Sequence, residues 1–236
     1  MAVNRSREEW KVYGNVFDKF TLNILRKLSA QGYFEELESA LAMGKEANVF
    51  TATTKTSKRV IVKIYRLENC NFNKMLTYLK QDSRFLSMRR SKREVVFNWV
   101  QREYRNLLLA RESIKVPTPI AFKYNVLVME MIGNIAPELK NKIPKNPENF
   151  LEEILKNIKL LWDKGLVHGD LSAFNILNNK DHPVFIDFSQ ATITKSYDAK
   201  DLLARDLKNI NNFFKKAGIS FDVEKEFNKI VKQLPK

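Results

Sequence analysis

Three oxygen-bearing side chains lie close together in the second half of the chain. Asp170 and Asn175 fall in "GLVHGDLSAFNIL" (165–177), and Asp187 falls in "VFIDFSQ" (184–190). No sulfur and no clustered imidazole accompanies them, so the set suits a hard cation such as Mg2+ and not zinc. Mg2+ keeps few protein ligands and takes the rest of its shell from phosphates and water. Asn175 and Asp187 therefore suffice if a nucleotide completes the shell. Asp170 is then left to orient or deprotonate a hydroxyl. Taken singly, each reads as a turn residue. Taken together, an Asp, an Asn five positions on, and an apolar strand running into Ile-Asp-Phe make a phosphoryl-transfer pattern.

The remaining parts of such a site have candidates. Lys63 interrupts the strand-like "VIVKIY", where a lysine either snorkels or binds α/β-phosphates with an acidic partner from a helix. Glu103 is the best partner, because it lies on the apolar stripe of its helix and an unpaired charge there would be costly. Glu94 and Glu112 read as solvated. "MGKEANVF" (43–50) has a single glycine and is weak alone as a phosphate loop. Adenine needs one main-chain acceptor and one donor at an apolar slot, which Glu130 and Ile132 of "VMEMIG" can supply.

The elements that must position these residues are legible in the periodicity. "DKFTLNILRKLSAQG" reads as a helix capped by Asp18, with Phe20, Ile24, Leu25 and Leu28 as its stripe and Gly32 as its stop. Residues 36–66 read as a two-stranded hairpin turning near Thr54–Lys58. The stretch 68–90 reads as irregular, with one helical turn in "FNKMLTYLK". A helix starts at Ser91 with a Ser91/Glu94 capping box, its face marked by Val96, Val100, Glu103 and Leu107. "TPIAFKYNVLVMEMIG" reads as a strand pair turning at Lys123–Asn125. Beyond Gly133 come a helix over 146–165, capped by Asn146 with Pro147 first and Gly165 last, and two short strands joined by "NNKDHP". Helices over 198–218 and 221–234 follow.

Composition bounds the rest. The 236 residues, 44% hydrophobic with 16 Phe and 3 Trp, suffice for a real core. One cysteine, Cys70, excludes a disulfide framework and fits a reducing compartment. No apolar leader or long apolar run is present, so the expectation is a soluble, cytoplasmic protein with no membrane partner. The net charge of +14 favours polyanions. It is concentrated in 84–105, with Arg84, Arg89, Arg90, Lys92, Arg93, Arg102 and Arg105 against Glu94 and Glu103.

The segments "GKEANVF", "VIVKIYR", "YLKQDSRF", "WVQREYRNL", "LVHGDLSAFNIL", "FIDFSQA" and "ARDLKNINNFF" resemble the RIO family of atypical serine/threonine protein kinases, in its type 1, archaeal-like branch. The resemblance runs from about Phe17 to Phe214. It implies an α+β, two-lobed protein-kinase-like fold, trimmed, without the usual peptide-docking segment. The implied parts are an N-terminal helical extension over 1–42, a β-rich N-lobe over 43–133 with a flexible insertion at about 68–90, and an α-rich C-lobe over 134–236. It further implies ATP beneath Gly44, Lys45, Glu46, Ala47, Asn48 and Val49, with Lys63 on phosphates, Glu103 bracing it, and Glu130 and Ile132 at adenine. Asp170 would be the catalytic aspartate, and Asn175 and Asp187 would hold Mg2+ or Mn2+. Asp187 is also the implied phospho-acceptor of an ATPase cycle. Ser83, Ser87 and Ser91 are candidates for autophosphorylation. The implied partner is a small ribosomal subunit precursor and its rRNA.

Three departures from the family pattern stand out: Ala42-Met43 in place of Ser-Thr, "QDSRF" (81–85) in place of Gly-Asp-Pro-Arg-Phe, and Ser196-Tyr197 in place of His-Pro. The first removes a hydroxyl that could touch phosphate. Two further readings share parts of the pattern. A small-molecule phosphotransferase resembling aminoglycoside or choline kinases would also carry "HGDL…N" and "IDF", but not "GKEANVF" or Ser189-Gln190. A non-catalytic, nucleotide-gated ribosome assembly factor would not need Lys63, Asp170, Asn175 and Asp187 together.

Overall fold

A computed structural model of the chain describes residues 17–68, 70–85, 87 and 91–232. Residues 1–16 of the expected extension, and Arg89 and Arg90 of the basic cluster, lie outside the described residues. The chain divides into two compact units. The first comprises Met1–Leu76, Met88–Gln101 and Pro119–Met131, and the second Thr77–Ser87, Arg102–Thr118 and Ile132–Lys236.

The first unit is built on a five-stranded antiparallel sheet, in the order β1-β2-β3-β5-β4. Its strands are β1 (Glu36–Met43), β2 (Ala47–Thr53), β3 (Arg59–Tyr65), β4 (Pro119–Lys123) and β5 (Val126–Glu130). Residues 36–66 thus form three strands, not two. The turn at 44–46 divides what the alternation alone reads as one strand, and it depends on Gly44. The Gly44 amide donates to the Ala47 carbonyl at 2.9 Å, and a Cβ at Gly44 would stand 2.9 Å from that same oxygen. The turn at 54–58 forms as expected, closed by Thr54 N–H to Lys58 C=O at 2.8 Å. Helix α1 (Lys19–Ala30) is capped by Asp18, whose side chain accepts from the Thr21 amide. Its Ile24, Leu25 and Leu28 join Val60, Val62, Ile64, Val126 and Val128 in one buried cluster. Side chains alternate along β3, so this cluster takes Val60, Val62 and Ile64 and leaves Ile61, Lys63 and Tyr65 for the other face. Burying each aliphatic side chain is worth about 1.5–3 kcal/mol, which fixes that alternation and with it the face of Lys63.

Helix α2 (Phe72–Gln81), followed by a 3-10 turn at Ser83–Phe85, occupies the stretch expected to be mostly irregular. Met75 and Leu79, four apart, are both fully buried. That pair is the helical signal, which the half-buried Leu76 and Tyr78 between them obscure. Helix α3 (Lys92–Ala110) begins one residue after Ser91, whose hydroxyl accepts from the Glu94 amide at 3.4 Å.

The second unit carries helices α4 (Pro147–Asp163), α5 (Ala199–Lys215) and α6 (Val223–Val231). The expected stripe of α4, Phe150, Ile154, Ile158 and Leu161, is buried, and Asn146 caps it. Two small antiparallel sheets pair β6 (Leu166–Val167) with β9 (Thr192–Ile193), and β7 (Ile176–Asn179) with β8 (His182–Phe185). The β6–β9 pair is too short to leave a period in the sequence. The β7–β8 hairpin is in register from Ile176↔Phe185 to Asn179↔His182. Its turn residues Lys180 and Asp181 both have positive φ, 55° and 64°, the geometry that suits a two-residue hairpin. Among the described residues, no helix is long and apolar enough to cross a membrane.

Candidate active site

Strand β6 delivers the chain into a tight loop at His168–Asp170. Gly169 has φ +76°, and a Cβ there would stand 3.1 Å from the Gln190 carbonyl oxygen, so the glycine between His168 and Asp170 is required by both conformation and space. His168 is nearly fully buried. Its Nε2 lies 3.0 Å from the Ile186 carbonyl and its Nδ1 accepts from the Asp170 amide at 3.3 Å. A carbonyl only accepts and an amide N–H only donates, so the proton sits on Nε2 and the ring is neutral. His168 therefore ties the Asp170 loop to the Ile186–Asp187 segment.

Asp170 and Asn175 meet directly: the Asn175 side-chain amide donates to the Asp170 carbonyl at 2.8 Å. Because the amide is planar, that bond turns the Asn175 side-chain oxygen the opposite way. The Ile186 amide donates to the Asn175 carbonyl at 3.0 Å, which extends the β7–β8 ladder by one step and carries the chain to Asp187. Asp187 has φ +61°, a costly backbone state for a non-glycine residue that persists only when its surroundings over-determine it. Asp170 and Asn175 are thus bonded to each other, and the residue before Asp187 is bonded to Asn175, the three being placed by a loop and a hairpin. A further hydrogen bond, from the Gln190 side-chain amide to Asp170 Oδ2 at 2.8 Å, joins the cluster from the segment after Asp187. Among the described residues, no group of three or more His, Cys, Asp or Glu is placed to hold a metal ion. An amide oxygen and a carboxylate are the sparse oxygen set that fits Mg2+ sharing its shell with phosphate and water.

Sequence reasoning missed the support beneath this cluster. Asp206, on α5, is 1% exposed. Its two carboxylate oxygens accept from the Gly169 amide at 2.7 Å and the Leu171 amide at 2.8 Å. Its neighbour Arg205 donates to the Gly169 carbonyl, and Asn209 donates to the Leu171 carbonyl at 3.2 Å. One face of α5 therefore grips the backbone on both sides of Asp170. Burial pushes the Asp206 carboxyl up to about 7, helped by the charge of Asp170. The two amide hydrogen bonds and Arg205 pull the other way. The signal available in the sequence was Asp206 itself, a carboxylate on the apolar stripe that Leu202, Leu203, Leu207 and Ile210 mark, where a charge has no reason to be unless something uses it.

A second network holds the segment after Asp187. Arg102 and Asp82 are both fully buried, with Arg102 Nε 3.2 Å from Asp82 Oδ2. Arg102 donates to the Ser189 carbonyl at 3.1 Å, and Asn106 donates to the Phe188 and Ala191 carbonyls at 3.0 and 2.7 Å. Arg84 binds Asp82 at 2.6 Å and the Asn106 side-chain oxygen at 2.8 Å. Burial works to raise the Asp82 carboxyl, but the hydrogen bonds and charge of Arg84, with Arg102 behind, hold it below the usual carboxylate range. Burial lowers the Arg102 guanidinium to about 10. This corrects the reading of 84–105 as one basic patch: Arg102 and Arg84 are spent inside the protein, whereas Lys92, Arg93 and Arg105 are exposed.

Of the other expected residues, Glu103 is fully buried and, like Asp170, Asn175 and Asp187, belongs to the second unit. Ile132, also buried, begins the last of that unit's three segments. Lys63 belongs to the first unit, 7% exposed, its Nζ 5.1 Å from the centre of the Tyr65 ring. Gly44 and Lys45 are exposed in the β1–β2 turn, Glu46 and Val49 half-buried, and Ala47 buried. Asn48 is buried, its side-chain oxygen accepting from Arg66 at 3.2 Å. Glu130 ends β5, opposite Val60.

Comparison with known proteins gives the family and the fold. The family model described as "RIO domain" matches residues 48–227. The RIO-type serine/threonine-protein kinase Rio1 of Methanocaldococcus jannaschii is 42% identical over 213 residues, 89% of this chain and 73% of that protein. The Rio1 kinase of Haloferax volcanii is 37% identical, over 92% of this chain and 77% of its own. Among solved structures, the Rio2 kinase–ADP/Mg2+–phosphoaspartate complex from Chaetomium thermophilum superposes with a TM-score of 0.72 at 20% identity. It covers 90% of this chain and 66% of that one. At that identity the likeness speaks for the fold, an α+β kinase-like architecture with a sheet-based N-terminal part and a helical C-terminal part.

Proposed function

Because this chain belongs to the RIO domain family, as a type 1 serine/threonine-protein kinase, we propose that it moves the terminal phosphoryl group of ATP at the cluster of Asp170, Asn175 and Asp187. The observation that supports the proposal is the pair of hydrogen bonds made by Asn175, its side chain to the Asp170 carbonyl and its own carbonyl to the amide of Ile186, the residue before Asp187. Asn175 and Asp187 would hold the Mg2+, which when bound neutralises phosphate charge and aligns the transferred group. Asp170 would orient the accepting hydroxyl and take its proton. Lys63 would bind the α- and β-phosphates and Glu103 would brace it. The turn from Gly44 to Val49 would cover the phosphates, and Glu130 and Ile132 would meet adenine with main-chain groups.

The Chaetomium Rio2 complex contains ADP, Mg2+ and a phosphoaspartate. On that precedent Asp187 is the acceptor in a second use of the same site. Its carboxylate oxygen would attack the γ-phosphorus as the bond to the leaving ADP oxygen breaks, and water would later cleave the acyl phosphate. The physiological setting we propose is cytoplasmic maturation of the small ribosomal subunit, with rRNA as the polyanion that the +14 charge favours.

The test is transfer from γ-labelled ATP with Mg2+, comparing the wild type with Asp170→Ala and Asp187→Asn. Label on serine lost in Asp170→Ala, and acid-stable label distinguished from hydroxylamine-labile label on Asp187, are the expected results. Unchanged serine labelling in Asp170→Ala would remove the proposed role of that residue.

A further inference from the structure

Of the contacts around Asp170, one comes from outside the parts assigned so far. Gln190, 7% exposed, donates its side-chain amide hydrogen to Asp170 Oδ2 at 2.8 Å. The other end of the same amide, Oε1, lies 3.1 Å from the Tyr78 hydroxyl. The order of donors and acceptors is forced. An ionised carboxylate can only accept, so it takes the NH2 end of Gln190; the carbonyl end is then left to accept the phenol proton. A glutamine amide has nearly the same shape either way round. Only the polar partners at its two ends decide which end faces Asp170, and Tyr78 supplies the one that Asp170 does not.

Tyr78 is itself anchored. It lies on α2, within the expected insertion at 68–90, and its ring packs under the Arg102 guanidinium at 5.2 Å. Arg102 in turn binds Asp82 and the Ser189 carbonyl, next to Gln190. The chain Tyr78–Gln190–Asp170 thus runs from the insertion to the carboxylate through one buried amide.

We infer that Gln190 is a positioning residue that fixes the rotation of the Asp170 carboxylate, and that Tyr78 orients Gln190 and so links the ordering of the insertion to phosphoryl transfer. The inference rests on the role of Asp170 set out above. It predicts a distinctive rank of variants. Gln190→Leu removes the donor. Gln190→Glu keeps the shape but sets an acceptor against an acceptor, so it is the more damaging change although it is the better fit. Tyr78→Phe keeps the ring and frees the amide to turn over.

The experiment measures steady-state transfer from ATP, Mg-ATP affinity by calorimetry, and thermal unfolding for these three variants, for Tyr78→Phe/Gln190→Leu together, and for Asp170→Ala. A side chain that only orients a reacting group changes kcat by about ten- to a hundredfold while leaving ground-state binding alone. The expected result is a loss of that size in kcat for Gln190→Leu and a larger one for Gln190→Glu. Mg-ATP dissociation constants should stay within about twofold of the wild type. Tyr78→Phe should lower kcat less, and add nothing in the Gln190→Leu background, because it acts through that amide. Full kcat in Gln190→Leu or Gln190→Glu, with Asp170→Ala inactive, would overturn the inference and leave the proposed function standing. Additive losses that follow unfolding temperature would overturn it too, by showing packing alone. An active Asp170→Ala would remove both, since there would be no carboxylate to position.

Discussion

Replacing Asp206 by Asn probes the buried carboxylate under the Asp170 loop while keeping its shape. In the folded protein, burial raises that carboxyl from its ordinary 3.8 to about 7. A carboxyl that binds its proton more tightly when folded contributes stability that is complete below pH 3.8, declines as pH rises toward 7, and is gone above it. Each unit of displacement corresponds to about 1.4 kcal/mol, so the decline has a slope of about 1.4 kcal/mol per pH unit within that window. Between pH 8 and pH 5 the wild type should gain about 2–3 kcal/mol relative to Asp206→Asn, a large part of a domain stability of about 5–15 kcal/mol. Other titrating groups, Asp82 among them with the opposite sign, are common to both proteins and cancel in the difference. Urea unfolding of the pair at pH 5, 6, 7 and 8 reads the quantity directly. A difference that stays constant to within about 0.5 kcal/mol across that range would refute the reasoning, because Asp206 would then titrate alike in the folded and unfolded chain.

Other changes test the framework around the site. Gly169→Ala should cost more than Gly218→Ala: both glycines have positive φ, but only at Gly169 does the new Cβ meet a carbonyl, at 3.1 Å. The left-handed backbone alone costs about 1–2 kcal/mol, and the excess at Gly169, read by thermal unfolding, measures the contact. Arg102→Met should destabilise by about 3 kcal/mol or more, since it strips one partner from buried Asp82; restoring part of that loss with a second change, Asp82→Asn, is the check in urea. The Cys70 thiol is pushed up to about 11, first by burial and then by the charge of Glu46. At pH 8 it should therefore alkylate roughly a hundredfold more slowly than a free thiol of pKa about 8.5, as followed by mass spectrometry.

The parts of the site that could be read from the sequence are those in which one residue type has few uses. An Asp and an Asn ahead of an apolar strand, and an Asp after its partner, leave little choice once a hairpin is inferred, and the hairpin forms in the expected place. The sheet was legible where valine and isoleucine alternate in β3, but the β1–β2 turn was not, because its cause is a backbone oxygen 2.9 Å from where a side chain would begin. Helix α2 was under-read, since only Met75 and Leu79 are buried in it, and Phe72, Leu76 and Tyr78 blur the stripe they mark. Asp206, Arg102 and Gln190 escaped for a shared reason. Each does its work through contacts 20 or more positions away, to Gly169, Asp82 and Asp170 respectively, and pattern within a segment carries no trace of such partners.

The hairpin formed by β7 and β8 has at its open end Asn175 and Asp187, the proposed metal ligands, and its turn at Lys180 and Asp181. Strand pairing makes the turn a ruler: the number of residues around the bend decides which side chain arrives opposite which at the far end. Adding a single residue at 180–181, a surface change remote from any ligand, would slide one strand by a step and present Ile186 or Phe188 where Asp187 belongs. Drift in the length of that bend would thus extinguish the proposed chemistry while leaving every one of its side chains in the sequence.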